Sequence, residues 1–324
     1  MAATEVAPFQ KTDCEEVARL WTDIFRDYPL SPEVLRKQTF GYPDFDPEGV
    51  WTARAGHSLV GFVFATARRR HETGAAQIPG CVEAIMVHPA HRRRGIGTAL
   101  LEKGMAFLRS KGKGAVKAGY PLYLPGTFFT FLGVSAGWPE GLAFFEKYGF
   151  REVDRIQGLI APISGFEIPA HIAQREKTLA TKGISVGPMT KAEEAGLLDF
   201  LASAFPEYLL WHDHYYYRAE AGRIAPEDTM VVRVDGKVAG FAGPVEIAEN
   251  EGILGSGIGI AEELRGRGIG TVLLFKAMGE LKNRGARRVH VFGPAKGLDK
   301  TFYPKAGYRP ADLWVLLERE VETQ

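Results

Sequence analysis

The chain has 324 residues, of which 45% are hydrophobic, and a formal net charge of +1. At roughly 150 residues per domain, this length predicts about two domains, each able to bury its own core. A near-neutral charge provides no field that would attract nucleic acid or an anionic membrane. The two cysteines, Cys14 and Cys81, are far apart. This argues against a disulfide scaffold and a thiolate zinc site, so we expect no metal and a reducing, cytoplasmic environment.

The chain shows no targeting or membrane segment by its apolar pattern. The residues around 1–16 contain no apolar stretch like that of a signal peptide. No apolar run approaches the roughly 18 residues that a membrane span requires. We therefore expect neither a signal peptide nor a contact with membranes.

The first half alternates between strands and helices. Residues 6–21 predict a short strand and then a helix, and the alternation over Ser58–Ala65 predicts an antiparallel strand with one solvated face. Residues 81–97 predict a strand, a loop and the start of a helix. Residues 142–153 predict a helix that runs into a last strand. This mixed order predicts an α/β or α+β sandwich around a central sheet.

The second half repeats this order, and one stretch repeats almost literally. Residues 92–112 and 265–285 align without a gap and are identical at 12 of 21 positions, which indicates duplication. We predict one domain over residues 1–163, a linker over 164–183 with a short polar helix after Pro169, and a second domain over 184–324. The first copy carries an insertion centred on residues 119–138, which is either a loop that covers a site or a surface packing element.

The repeated stretch begins with Arg-x-x-Gly-x-Gly, at Arg92–Gly97 and Arg265–Gly270, between an apolar strand and an amphipathic helix. The first turn of a helix has unpaired N–H groups and a partial positive charge. Glycines let an anion reach those N–H groups, and arginines add charge and a planar donor fork. The pattern therefore predicts a diphosphate site. The alternative is a glycine turn with solvated arginines, which two copies in the same context make less favourable.

Other phosphate motifs fit the chain less well. The sequence contains no Gly-x-x-x-x-Gly-Lys-Ser/Thr, and the glycines of 255–259 are expected inside a strand rather than at the start of a helix. A dinucleotide fingerprint is therefore not supported.

At these motifs the chain resembles the GNAT N-acetyltransferase superfamily in tandem form. The resemblance rests on MVHPAHRRRGIGTALL and GIAEELRGRGIGTVLL, and on the later FFEKYGF and FYPKAGY. It implies two tandem domains, each a mixed, mostly antiparallel sheet flanked by helices, and a layout similar to mycothiol-synthase-like members. It also implies acyl-coenzyme A as the cofactor, with the pyrophosphate on the loop, the pantetheine along the splayed end of the preceding strand, and acyl transfer to an amine.

The resemblance places the cofactor contacts on the strand end and loop of each copy. In the first copy these are Met86, Val87, Arg92, Arg93, Arg94, Gly95, Ile96, Gly97 and Thr98; in the second they are Gly259, Ile260, Arg265, Gly266, Arg267, Gly268, Ile269, Gly270 and Thr271. A backbone N–H of Met86 or Val87, and of Gly259 or Ile260, would meet the acyl carbonyl.

The two copies carry different candidate acids and bases. Glu83 lies four residues before Val87, so alternation would place both on one strand face, where the carboxylate could accept the amine proton through water. The second copy has Ser256 at that position. Tyr303 lies four residues before Gly307, where family members often have a tyrosine that protonates the departing thiolate; the first copy has Phe145 there.

These differences favour transfer in the second copy with both copies binding coenzyme A. Activity in the first copy and a composite arrangement stay open. The expected function is transfer of an acetyl or other short acyl group to an amine of a small molecule. One alternative is a non-catalytic acyl-CoA sensor or scaffold, motivated by Phe145 and Ser256. A second is nucleic-acid binding through Arg92–Arg94, against which the neutral charge and the lack of a recognised motif argue.

Three further segments are candidates for packing or substrate contacts. The basic run Arg68–His71 is interpreted as a solvated turn or a contact to an acidic substrate. Residues 212–217, which read His-Asp-His-Tyr-Tyr-Tyr, are interpreted as amphipathic packing or the lining of an acceptor pocket. Trp21, Phe25 and Tyr28 are expected in the core.

Overall fold

The chain forms two compact units. A computed structural model describes residues 4–26, 29–40, 45–67, 79–118, 133–205, 225–248, 250–255, 257–296 and 302–322. Unit 1 comprises residues 1–156 and 313–324, and unit 2 comprises residues 157–312. Both are mixed α/β structures in which mostly antiparallel strands are flanked by helices, as the sequence predicts.

Unit 1 is built on an antiparallel meander that continues into a parallel strand. Its strands are β1 (Thr4–Pro8), β2 (Val50–Ala55), β3 (Ser58–Thr66), β4 (Gly80–Val87), β5 (Ala115–Ala118) and β6 (Val134–Ser135). Its helices are α1 (Cys14–Ile24), α2 (Pro32–Gln38), α3 (Ile96–Ser110) and α4 (Pro139–Lys147). Strands β1 to β4 pair antiparallel in chain order, and β4 pairs with β5 in parallel.

Two long strands have residues in both units. Strand β7 (Arg151–Pro162) begins in unit 1 and ends in unit 2, and β15 (Arg309–Glu320) does the reverse. In unit 1 the end of β15 pairs with β5 and β6. Val315, Leu317 and Val321 are buried in the core of unit 1.

Unit 2 contains a four-stranded sheet and a second group of strands. The remaining strands are β8 (Ile184–Pro188), β9 (Met230–Val234), β10 (Lys237–Ala242), β11 (Val245–Ala248), β12 (Glu251–Leu254), β13 (Ile258–Ile260) and β14 (Arg288–Pro294). The helices are α5 (Ala170–Ala180), α6 (Glu194–Ala204) and α7 (Ile269–Asn283). The order β8-β9-β10-β13 is antiparallel, whereas β11 pairs with β12, and β12 pairs with β14 in parallel.

Helix α3 packs tightly on the sheet of unit 1 because glycines allow close approach. A Cβ atom at Gly61 would stand 2.8 Å from Leu100, and one at Gly104 would stand 3.4 Å from Ala65. On the opposite face, Phe62 and Phe64 contact Phe9 and Phe45. Both faces of β3 are therefore covered, and the expectation of one solvated face is wrong: every residue of β3 after Ser58 is buried.

The compact units differ from the expected division of the chain in two places. Residues 313–324 belong to unit 1 rather than to the C-terminal half, because β15 places three apolar side chains in that core. The expected linker contains α5, which begins after Pro169 as predicted. This helix packs into unit 2, since Ile172 and Leu179 are buried in its core.

Candidate functional site

The repeated glycine loop has the same backbone geometry in both units. Gly95 and Gly268 are the N-cap residues of α3 and α7, with left-handed φ angles of +81° and +77°. Neither helix start receives a hydrogen bond from a capping side chain. A Cβ atom at Gly95 would meet nothing within 4 Å, so the space in front of this helix start is open. The N–H groups of the first turn are thus presented as a phosphate would require.

The first arginine of each loop fixes the loop to the preceding strand. The Nε atom of Arg92 donates to the carbonyl of Val87 at 3.1 Å, and that of Arg265 donates to the carbonyl of Ile260 at 3.1 Å. Each guanidinium has four further N–H donors besides the one at Nε. The first arginine therefore orients the loop and still has donors for an anion.

The second loop position differs between the copies in a way that the backbone explains. Arg93 has a φ angle of +61° and Gly266 one of +75°. A side chain in this left-handed region costs roughly 1–2 kcal/mol, whereas glycine adopts it freely. The first copy thus retains a third guanidinium in a strained backbone, and the second copy has the relaxed residue.

The remaining loop residues separate into buried anchors and exposed groups. Ile96 and Ile269 are buried, so their side chains belong to the core and only their backbone can face a ligand. Arg94 and Arg267 are exposed.

An aromatic ring lies beside the second glycine of each loop. A Cβ atom at Gly97 would stand 3.3 Å from Phe144 and press on that ring, whereas one at Gly270 would be in ordinary contact with Phe302 at 3.9 Å. In unit 1 the hydroxyl groups of Thr98 and Tyr148 are 2.5 Å apart, which joins α3 to the end of α4. Thr271 corresponds to Thr98, but Ala306 occupies the position of Tyr148.

The strand before each loop is interrupted at equivalent positions. In unit 1, Phe64 pairs with Ala84 and Ala65 pairs with Val82, so Glu83 is the additional residue of a β-bulge. In unit 2 the corresponding strand divides into β12 and β13 around residues 255–257, where Gly257 has a φ angle of +69°. The expected continuous strand through the glycines of 255–259 is therefore wrong, because a turn occupies this point.

The interruption separates this strand from its parallel neighbour in unit 2. Strand β12 pairs with β14, while β13 pairs with β10 in the four-stranded sheet. Before the break β12 pairs with both β11 and β14, whereas after it β13 pairs with β10 and, among the described residues, no longer with β14. The resemblance implies that the pantetheine would lie where this pairing to β14 ends.

The ladder geometry decides which backbone N–H groups face away from the sheet. The N–H of His88 donates to the carbonyl of Val60. Because residue pairs in an antiparallel ladder alternate between hydrogen-bonded and non-hydrogen-bonded, Met86 and Phe62 form the next hydrogen-bonded pair. Val87, between Met86 and His88, is in a non-hydrogen-bonded pair, so its N–H points away from β3. In unit 2, Ala261 donates to Ala239, and the same alternation directs the N–H of Ile260 away from β10. Of each candidate pair, Val87 and Ile260 are therefore the available donors.

Met86 and Gly259 instead serve packing. Met86 is buried. A Cβ atom at Gly259 would collide with the ring of Phe241 and stand 3.0 Å from that of Phe205, so glycine leaves room for these two aromatic residues.

Glu83 does not lie on the strand face that alternation predicts. Its carboxylate accepts a 2.5 Å hydrogen bond from Thr66, while Val82 and Val87 pack with the α3 side of the core. Thr66 is on the opposite side of β3 from Ala65, which faces α3. The bulge thus reverses the alternation and places Glu83 on the face away from α3, buried to 5% exposure.

Tyr303 is a buried phenol close to the interrupted strand of unit 2. Its hydroxyl oxygen is 3.6 Å from the position of a Cβ atom on Gly257, immediately before β13, and the side chain is 7% exposed. The ring packs against Phe302 and Tyr308, at 4.8 and 5.4 Å between centroids. Burial, together with charge on Tyr303, holds the pKa of Tyr308 well above its usual value. In unit 1 the equivalent Phe145 is buried against Phe150.

Family comparisons match both halves of the chain. Residues 46–152 match a model described as acetyltransferase (GNAT) domain, and residues 195–308 match one described as acetyltransferase (GNAT) family. Together they cover about two thirds of the sequence. The chain belongs to the GNAT acetyltransferase family.

Solved structures show the same tandem fold over nearly the whole chain. A GNAT from Sphaerobacter thermophilus is 19% identical with a TM-score of 0.73, covering 99% of this chain and 97% of that one. A tandem GNAT protein from the clavulanic acid biosynthesis pathway is 19% identical with a TM-score of 0.67, covering 99% and 100%.

A third similar structure is part of a longer protein. A glucosamine N-acetyltransferase region in a fungal multi-domain GH3 β-N-acetylglucosaminidase is 25% identical with a TM-score of 0.78. The match covers 98% of this chain and 38% of that one, so this GNAT chain spans well under half of that protein. No protein of curated function matches the sequence.

Several expected features lie outside the described residues of this GNAT protein. These are the insertion core at 119–132, Ser256, the run Arg68–His71, Tyr28 and residues 212–217. Trp21 is buried, as expected of a core residue. Within the described ranges no cluster of His, Cys, Asp or Glu could hold a metal ion, and no helix there is both long and apolar enough to cross a bilayer.

Sequence reasoning missed two features of the GNAT units. The first is the pair of rings, Phe144 and Phe302, on the second loop glycine, which was visible as the repeated aromatic residue of FFEKYGF and FYPKAGY. The second is a repeated ion pair: Arg54 on β2 bonds Asp13 at 2.8 Å, and Arg233 on β9 bonds Glu193 at 2.8 Å. Asp13 lies just before α1 and Glu193 just before α6. The strand register places Glu5 opposite Arg54 and Ser185 opposite Arg233.

Proposed function

We propose that this protein transfers an acetyl or other short acyl group from coenzyme A to the amine of a small molecule by direct attack. The observation that carries the proposal is the duplicated strand, glycine loop and helix start, within a chain that belongs to the GNAT family. The open space at Gly95 is large enough for an anion to approach the first turn of α3. Acyl-coenzyme A would supply the thioester.

The residues of the loops would hold the donor's phosphates. The N–H groups after Gly95 and Gly268 would donate to the diphosphate, and Arg94 and Arg267 would add charge-assisted hydrogen bonds. Val87 and Ile260 would each donate a backbone N–H to an acyl oxygen, since their N–H groups point away from the neighbouring strand. Such fixed donors account for much of the rate in acyl transfer.

We assign the transfer to unit 2, where a proton donor is available. Tyr303 would hold a proton at its phenol oxygen and pass it to the leaving sulfur. Unit 1 has Phe145 there, so it would bind the acyl donor without this acid. Glu83 would be the base if unit 1 were active, but the carboxylate lies on the face away from α3 and is bonded to Thr66.

The acceptor is an amine, and an amino sugar is the first to test. The fungal region that is 25% identical over nearly the whole chain is described as a glucosamine N-acetyltransferase. A sugar amine is a small, polar acceptor of the class that the proposal names.

The proposal is tested by calorimetry and by thiol release. We expect acetyl-CoA to bind at two sites, and an amine panel that includes glucosamine to release free coenzyme A. Gly95→Glu and Gly268→Glu should each remove one site, because the carboxylate would repel a phosphate and the left-handed backbone disfavours a side chain. Gly95→Ala is the control for backbone strain alone, whereas Gly268→Ala adds a contact with Arg175 to that strain. Binding without turnover on any amine would favour a sensor, and two intact sites in both Glu variants would refute the loop assignment.

A further inference from the structure

The glycine loop of unit 2 has a neighbour that the loop of unit 1 lacks. The guanidinium of Arg175, on α5, lies against Gly268: a Cβ atom at Gly268 would stand 2.9 Å from Cδ and 3.0 Å from Cζ of Arg175. Arg175 makes no hydrogen bond or ion pair with any residue in the described ranges. A cation without an ion-pair partner among the described residues therefore lies at the start of α7.

Helix α5 holds Arg175 in this place. Ile172, Arg175, Glu176 and Leu179 follow the spacing of one helix face. Ile172 and Leu179 are buried, and Glu176 forms an ion pair with Lys276 of α7. Arg175 is thus on the side of α5 next to α7, although its side chain is exposed to solvent.

The location is electrostatically unfavourable for a cation without a bound anion. The N-terminal end of a helix carries a partial positive charge, and a cation there is destabilising. Arg265 and Arg267 in the same loop add two further positive charges. Glu262 and Glu263 lie in the preceding turn, but neither forms an ion pair with Arg175. An anion at the helix start would relieve this repulsion.

Arg175 also restores a charge that the second loop lacks. The first loop has three consecutive arginines, Arg92–Arg94, whereas the second has Gly266 at the middle position. The backbone there is left-handed in both copies, so glycine relieves strain but removes a guanidinium. Arg175 brings a third guanidinium to the second loop from a separate helix.

We propose that Arg175 binds a phosphate of the acyl-coenzyme A donor in unit 2, as the counterpart of Arg93 in unit 1. This inference rests on the proposed function, since it names a further residue of the same donor site. It makes α5, which sequence alone predicts as a linker, part of that site.

The test measures acyl-CoA binding to unit 2 alone. In a Gly95→Glu background the site of unit 1 is blocked, and calorimetry reports the other site. We expect Arg175→Gln to weaken acetyl-CoA binding about tenfold, because charge-assisted contacts to phosphate are strong. The salt dependence should become shallower as well, since one cation fewer contacts the ligand. Lys177→Gln is the matched control: it removes the same charge from an exposed position of α5 and should leave affinity within about twofold.

Three further measurements identify which phosphate Arg175 contacts and test whether the variant still folds. Dephospho-coenzyme A, which lacks the 3′-phosphate, should lose the sensitivity to Arg175→Gln if that phosphate is the partner, and should keep it if the diphosphate is. The ligand-free Arg175→Gln protein should unfold at the same temperature as the parent or higher, because repulsion is removed. Arg175→Lys should retain part of the affinity.

Two results would overturn the inference, and they are distinguishable. Affinity of Arg175→Gln within twofold of the parent, with binding to unit 2 intact, would refute the role of Arg175 alone. Absence of acetyl-CoA binding to either unit of the parent protein would refute the proposed function itself.

Discussion

At the scale of single residues, the proposed role of Tyr303 as a proton donor can be tested apart from its role in packing, because a second buried tyrosine lies beside it. Tyr308 is 5.4 Å away between ring centroids, and its hydroxyl has no hydrogen-bond partner among the described residues. The two tyrosines share burial and packing, so replacing each by phenylalanine removes the same atom from a similar environment.

Tyr303→Phe should lower kcat about tenfold and leave the affinity for acetyl-CoA within twofold. A thiol leaving group has a pKa near 8.5, so the loss should shrink above that pH, where the thiolate no longer needs a proton. Initial rates of thiol release from pH 6.5 to 9.5 would measure this. Tyr308→Phe is the control and should not change kcat. Unaltered turnover in Tyr303→Phe, together with a large loss in Glu83→Gln, would instead move the transfer to unit 1.

Arg93 exemplifies a stability cost at a proposed ligand-binding position. Its φ angle of +61° is disfavoured for a residue with a Cβ atom, and Gly266 shows which residue relieves the strain. We expect Arg93→Gly to stabilise unit 1 by about 1 kcal/mol while weakening its binding of acetyl-CoA. Urea denaturation and calorimetry would report the two effects.

The control for Arg93→Gly is Arg94→Gly, which removes the same charge at a position without a positive φ angle. It should not stabilise the protein, because glycine gains no relief there and has more conformational freedom when unfolded. Equal stabilisation by both variants would attribute the gain to charge repulsion rather than to backbone strain.

At the scale of elements, the repeated arginine–acid pair joins the start of α1 to β2 in unit 1 and the start of α6 to β9 in unit 2. In unit 2 Arg233 lowers the pKa of Glu193 from 4.5 to about 2, chiefly by hydrogen bonding, and both side chains are 18% exposed. Glu193 also accepts a hydrogen bond from the N–H of Thr190 at the start of the turn before α6. The carboxylate of Glu193 thus links the turn before α6 to strand β9.

The lowered pKa sets the pH range in which Glu193 stabilises the fold. The folded protein binds the proton more weakly than the unfolded chain does, so the stabilisation is complete above about pH 4.5 and disappears as the pH falls towards 2. We expect Glu193→Gln to lower the free energy of unfolding by roughly 1–3 kcal/mol at pH 7, with the difference decreasing through that acidic range.

Glu15→Gln is the control for the pair in unit 2. Glu15 pairs with Arg36 at 2.8 Å, but the carboxylate side chain is 64% exposed, and exposed pairs contribute little. Chemical denaturation at several pH values would compare the variants. A Glu193→Gln difference that stayed constant from pH 7 to pH 3 would contradict the assigned pKa.

At the scale of the whole molecule, the compact units do not follow the order of the chain. Residues 313–324 complete unit 1, although they are the last in the sequence. Strand β15 pairs with β5 through Leu317 and with β6 through Trp314 and Val315. The core of unit 1 is therefore incomplete in a fragment that contains only the first half.

A chain that ends at Asp312 should lose the stable fold of unit 1. The deletion removes five buried apolar side chains, each contributing roughly 1.5–3 kcal/mol, which together are comparable with the total stability of a domain. We expect limited proteolysis to cleave unit 1 first and calorimetry to show the loss of its acetyl-CoA site. A chain that ends at Val321 is the control and should keep it. An intact first site after deletion to Asp312 would contradict this division.

The loop is the part of the candidate site that sequence predicts best. Gly95 and Gly268 make the backbone conformation of the loop predictable, because glycine readily adopts a left-handed φ angle and the helix begins at the next residue. The choice between Met86 and Val87 could not be made from the sequence, since it depends on which residues of β4 bond to β3. The face of Glu83 was predicted wrongly for the same reason: one extra residue in β4 reverses the alternation.

The sequence by itself determined that two copies of one unit exist, that each contains a glycine turn at a helix start, and that Tyr303 replaces Phe145 at equivalent positions. These properties are local, since a few adjacent residues fix them. Only the tertiary structure decided that Arg175 lies on Gly268, that Glu83 bonds to Thr66, and that residues 313–324 complete unit 1. Such contacts join residues far apart in the chain, and they depend on strand register and on the packing of apolar faces, which no short stretch of sequence specifies.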